Sequence, residues 1–141
     1  MITLKEYEAE DWAKIDDAVE PFMFHESIKE FNQIVKRGVA VTGIEDGNVM
    51  ACGGIAYVNE DEGIVWVKVS KKCFSQPIRY ARGIKEVFKI MMSSMGSMTV
   101  TTYILENFCK GEKLAKLIGM KKAGETYEFN NQKYNRYVVE I

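Results

Sequence analysis

Between Val39 and Val69 the chain offers three strand-like runs in succession, with no helical pattern between them. The first two flank Asp46-Gly47-Asn48. Asp-Gly is among the strongest short hairpin signals, because a type I′ turn needs positive φ at both central residues. An acidic turn, Asn59 to Gly63, follows, and then the run Ile64-Val65-Trp66-Val67-Lys68-Val69. The stretch therefore predicts three sequential antiparallel strands.

Other elements attach to this meander on both sides. Residues Ile2 to Tyr7 alternate apolar and polar side chains, as a short strand does. Trp12, Ile15 and Val19 recur at helical spacing, with Pro21 ending that helix. A second helix is expected from about His25 to Val35, closed by Gly38 as its C′ residue. Downstream, Pro77 opens a long helix whose stripe runs through Ala81, Ile84, Phe88, Met91, Met92 and Met95. Met98 to Leu105 reads as a strand and Cys109 to Ile118 as a short helix ended by Gly119. Lys121 to Phe129 and Lys133 to Ile141 form two closing strands joined by Asn130-Asn131. The predicted order is β-α-α-β-β-β-α-β-α-β-β. That is one α/β (α+β) domain over residues 1–141, with about seven mostly antiparallel strands and about four helices.

Composition narrows the function. Nineteen basic and 20 acidic residues leave a net charge of −1, which gives no electrostatic argument for nucleic acid or a membrane surface. No apolar run approaches the roughly 18 residues of a membrane span, and the charged N-terminus does not read as a signal peptide. Cys52, Cys73 and Cys109 are odd in number and form no CxxC pair, and His25 is the one histidine. A disulfide framework and a metal centre are therefore not expected. A reduced, cytoplasmic setting is, although the interior of a phage particle would leave the same record.

The element order, over essentially the whole chain, resembles the GNAT (GCN5-related N-acetyltransferase) superfamily. The carrying features are Trp66-Val67-Lys68-Val69 before a loop and long helix, Ile104-Leu105-Glu106-Asn107 before a short helix and Gly119-Met120, and the terminal hairpin. The resemblance implies acetyl-CoA as cosubstrate and a small-molecule or peptide amine as acceptor. In the family two central parallel strands splay and the pantetheine lies between them. Here that implies contacts from Val67, Lys68 and Val69, with Asn107 on the far side. The family's pyrophosphate sits at the long helix start, here Ile78, Arg79 and Tyr80 beside Ser75 and Gln76, where unpaired N–H groups and the dipole favour an anion. Arg79 and Arg82 would supplement it.

The sequence also departs from the family pattern. Phe74-Ser75-Gln76-Pro77-Ile78-Arg79 lacks the family's loop glycines, and Gly83 comes one turn late. Ala115, beside Leu114, stands where a proton-donating Tyr is common, and Asn107 lies one residue farther from Gly119 than usual. VWVKVSKKCFSQPIRYARGI and LIGM also resemble small phage proteins of GNAT-like fold, which implies a second reading as a non-catalytic structural or interaction protein. Candidate proton carriers are Glu60, Asp61, Glu62 and His25 as bases and Tyr103, Tyr127 and Tyr134 as acids. Capping alone accounts for Ser75 and Gln76, and Gly53-Gly54 marks a bulge or a close backbone approach. Self-association through a sheet edge fits either reading.

Overall fold

In the computed structural model, residues 2–16, 36–129 and 131–141 are described. Seven strands form one sheet in the order β1-β2-β3-β4-β5-β7-β6. They are β1 (Thr3–Glu6), β2 (Gly38–Glu45), β3 (Asn48–Tyr57), β4 (Glu62–Val69), β5 (Thr99–Leu105), β6 (Lys121–Phe129) and β7 (Gln132–Glu140). The described helices are α1 (Ala9–Lys14), α2 (Pro77–Ser94) and α3 (Cys109–Leu117), with a 3-10 turn at Lys71–Ser75. The expected helix from His25 to Val35, and His25 itself, lie outside the described residues.

The β2–β3 hairpin turns as its sequence dictates. Glu45 pairs with Asn48, and Asp46 and Gly47 between them have φ of 52° and 78°. Gly38 differs from expectation. It begins β2 rather than capping a helix in the left-handed region, and a Cβ there would lie 1.9 Å from the Ile55 carbonyl oxygen. Gly54 is constrained in the same way, 2.1 Å from the Val39 oxygen, so Gly53-Gly54 is a close approach. The bulge lies elsewhere, between Gly43 and Ile44. Helix α1 is also shorter than the apolar spacing suggests. Ile15 is its extended C-cap, and it is buried under Trp66 and Cys52 instead of continuing the helix.

Two apolar clusters cover the two faces of the sheet. Val65, Val67 and Val69 pack with Phe88 and Met91 of α2 and with Ala115 of α3. Trp66, fully buried, packs on the other face with Ile15, Tyr7 and Trp12. That second face is fastened by Asp11. Its buried Oδ2 accepts from the Glu8 amide at 2.9 Å and the Thr42 hydroxyl at 2.8 Å, and it lies 3.0 Å from Lys5 Nζ. Burial pushes the Asp11 pKa up, but these three donors outweigh it and the net shift is downward.

Candidate functional site

Among the described residues one pair of neighbouring strands is parallel, β4 and β5, and it parts early. β4 and β5 pair at Glu62–Thr99, Gly63–Val100 and Ile64–Thr101. No further β4–β5 pairs occur among the described residues, although β4 runs on to Val69 and β5 to Leu105. At the fork the Thr102 hydroxyl donates to the Val65 carbonyl at 3.0 Å. Beyond it the strands leave a gap.

The ladder fixes which backbone groups face that gap. In a strand, successive residues turn their N–H and C=O to opposite edges. The Val58 amide donates to Glu62 and the Ser70 amide donates to Met50, both towards β3, while the Thr99 amide donates to Asp61 on the β5 side. β4 pairs with β3 without a register shift. Odd-numbered residues of β4 therefore turn their backbone to the gap, and Val67 and Val69 present N–H groups there. Lys68 is a correction to the expected backbone contacts, because its N–H and C=O face β3. Its Nζ donates to the Trp12 carbonyl at 2.7 Å and lies 4.5 Å from that ring's centroid, and burial lowers its pKa.

Helix α2 begins beyond the open end of β4. Neither Ser75 nor Gln76 caps it with a side chain. The Ser75 hydroxyl donates to Lys72 at 2.8 Å, and Gln76, at the N-cap position, makes no capping bond. Pro77 has no N–H, and the Tyr80 amide already donates to the Gln76 carbonyl at 3.2 Å. Tyr80 is therefore a second correction as a backbone donor. The N–H groups of Ile78 and Arg79 have no hydrogen-bond partner among the described residues. They are two donors at the positive end of an 18-residue helix.

The Arg79 side chain is engaged. Its Nη1 lies 2.8 Å from Glu45 Oε1 and 3.3 Å from Gln76 Oε1. The Tyr80 hydroxyl donates to Glu45 Oε2. The hydrogen bond from Tyr80, then that from Arg79, lowers the Glu45 pKa. Burial, then Glu45, pushes Tyr80 up to about 12. Sequence reasoning missed Glu45, which looks like an ordinary strand end before a turn. Arg82 is exposed on the next turn.

Across the gap, Asn107 is exposed and left-handed at φ 68°, and its carbonyl accepts from the Cys109 amide at 3.1 Å as α3 begins. Lys110 Nζ lies 4.2 Å from the Phe74 ring centroid, so α3 touches the segment before α2. Ala115 is buried, and its carbonyl accepts from Met120 at 3.0 Å; Gly119 takes the positive φ of 96° that this helix end requires.

A pocket of about 270 Å³ lies beside the closed end of the gap and brings together Glu62, Thr101, Tyr103, Tyr127 and Arg136. Tyr103 and Tyr127 meet edge to face at 5.2 Å, and Arg136 Nη2 is 3.3 Å from the Thr101 hydroxyl. Burial first, then Tyr127, raises the Tyr103 pKa. Of the acidic turn only Glu62 lines this pocket. Tyr134, opposite Tyr127 across β6 and β7, does not line it, and its hydroxyl lies 3.3 Å from Gln132 Oε1.

No protein-family model and no curated protein matches the sequence. Solved structures do match. Over 100% of this chain and 94% of its own, the ribosomal-protein-S18-alanine N-acetyltransferase from Escherichia coli superposes with TM-score 0.74 at 15% identity. Ard1 from Thermoplasma volcanium gives 0.76 at 8% identity, covering 99% of this chain and 97% of that one. A GNAT family acetyltransferase from Elizabethkingia anophelis with acetyl-CoA bound gives 0.64 at 12%, covering 99% and 98%. The fold is that of the GNAT acetyltransferases. The parted strands β4 and β5 and the long helix after them thus stand in a GNAT-like frame. No described helix is long and apolar enough to cross a membrane.

Proposed function

We propose that the chain is an acetyl-CoA-dependent N-acetyltransferase acting on an amine acceptor. The observation that carries this reading is a coincidence of two features. Strands β4 and β5 part with the Val67 and Val69 N–H groups turned to the gap, and α2 opens beside it with two unpaired amides. The residues present fit acetyl-CoA. Ile78 and Arg79 N–H would hold its pyrophosphate, Val67 and Val69 its pantetheine amides and thioester carbonyl, and Asn107 and Lys110 border the far side. The cosubstrate supplies an acyl group on a good leaving thiolate. The amine attacks the carbonyl carbon, the N–C bond forms and the C–S bond breaks. A hydrogen bond from a gap-facing amide stabilises the developing oxyanion. Glu62, which lines the pocket beside the closed end of the gap, is our candidate to take the amine's proton, acting through water because it lies several residues along β4 from Val67, with Tyr103 beside it on the acceptor side.

Calorimetric titration with acetyl-CoA tests binding, and thiol release with a panel of small amines and peptides tests turnover. Binding with release supports the proposal. A folded protein that binds no acetyl-CoA at millimolar concentration overturns it.

One observation favours a second reading, a non-catalytic structural or interaction module such as a phage particle uses. The position of the family's tyrosine is the buried methyl of Ala115, which offers no proton to a leaving thiolate. Binding of acetyl-CoA without turnover on any acceptor would favour that reading.

A further inference from the structure

Glu45 is an unusual neighbour for an anion site. It ends β2, and the two-residue turn Asp46-Gly47 holds it in place against the first turn of α2. Both carboxylate oxygens are engaged by consecutive α2 residues, Oε1 by Arg79 and Oε2 by Tyr80. Its side chain is only 15% exposed, against 39% for Arg79. It therefore cannot swing into water as freely as a surface carboxylate. The guanidinium nearest the two open amides is neutralised by an internal carboxylate, and a negative charge already stands where the helix dipole favours one.

We propose that Glu45 is an affinity-setting residue of this site: its carboxylate holds Arg79, and an incoming pyrophosphate must take the guanidinium from it. The proposal rests on the acetyl-CoA reading above and adds an internal competitor to it. Of the five N–H donors of Arg79, Nη1 alone meets Glu45 and Gln76, and turning the fork to a phosphate at the helix start loosens that Nη1 contact. Glu45 also repels the phosphates directly. The latch keeps the site weak towards phosphates offered without the pantetheine arm, because only a ligand that also fills the gap compensates for the lost ion pair.

The test is a double-substitution cycle on the full chain, with acetyl-CoA and inorganic pyrophosphate as the two probes in calorimetry. Glu45→Gln keeps a partner for the Tyr80 hydroxyl and removes the charge. It should tighten acetyl-CoA about fivefold, the scale of one partly exposed ion pair, and pyrophosphate by at least as much. In the Arg79→Gln background the same substitution should give a clearly smaller gain, since no guanidinium is left to release. Thermal melts confirm that each variant is folded. Unchanged or weaker binding by Glu45→Gln overturns the latch while leaving the cofactor reading intact. An equal gain with and without Arg79 also overturns it, in favour of simple charge repulsion. If none of the four proteins binds acetyl-CoA, the cofactor site itself is wrong and the latch falls with it.

Discussion

The two edges of β4 behave as different materials. Towards β3 it is paired residue for residue from Gly63 to Val69. Towards β5 the pairing stops after Ile64. One edge holds the sheet together, and the other leaves its donors to whatever enters the gap. The same strand thus pairs with the sheet through the backbone groups of its even-numbered residues and offers those of its odd-numbered residues to the candidate site, while Val65, Val67 and Val69 still bury their side chains in the core.

Proline scanning offers the hardest test of that division. Lys68→Pro removes an amide on the β3 side and the Nζ tie to Trp12, and should cost about 3 kcal/mol or more in urea unfolding. Val69→Pro removes an amide that only the gap uses. Measured against Val69→Ala, which reports the loss of the buried side chain alone, it should cost clearly less than Lys68→Pro while abolishing measurable acetyl-CoA binding. Equal losses of stability would refute the assignment of edges.

The next largest effect belongs to the fastened face. Asp11→Ala strips a buried acceptor from the Glu8 amide, the Thr42 hydroxyl and Lys5, and should destabilise by about 2 kcal/mol without touching the gap. The sign of its pH dependence follows from its lowered pKa. A carboxyl that titrates lower in the folded chain than its unfolded value of about 3.9 stabilises fully above that pH and loses its contribution as pH falls through the folded pKa. Urea midpoints measured between pH 7 and pH 2 should fall in that acid window, and Asp11→Asn should remove part of the fall.

Smaller again in stability is Arg79→Glu, which sets a second carboxylate against Glu45. Its thermal midpoint should drop only slightly, as at other surface ion pairs. Acetyl-CoA affinity should fall about tenfold, because a charge-assisted contact becomes a repulsion. Unaltered affinity would put the phosphates elsewhere. Glu62→Gln should leave stability unchanged, since Glu62 is exposed at the strand end, and lower turnover by about a hundredfold if it accepts the proton.

What could be read from the sequence was what depends on near neighbours. The type I′ turn, the Pro77 helix start and the Gly119 helix end follow from backbone preferences within a few residues, and each is found where expected. The strand order around β4 and β5 was legible through resemblance to a known fold. Contacts between distant segments were not. Glu45 meets Arg79 across 34 residues of chain, and no local pattern announces it. Gly38 was misread because a glycine required by a crossing carbonyl looks the same, in sequence, as one required by a left-handed turn. Ser75 and Gln76 suit helix caps by residue type, yet their side chains bond to Lys72 and Arg79 instead.

The three-pair seam between β4 and β5 also divides the chain by sequence. Among the described residues, β1 to β4 pair in chain order on one side of it, and β5, β7 and β6 pair on the other, where the chain end closes back on Met98. The β4–β5 seam is where the strands of the two halves pair with each other among the described residues. Their docking relies on the seam, the Thr102 bond and the packing of α2 and α3. A molecule lodged in the gap would touch both halves at once, so its binding free energy would oppose their separation and act as a removable rivet between the halves of the chain.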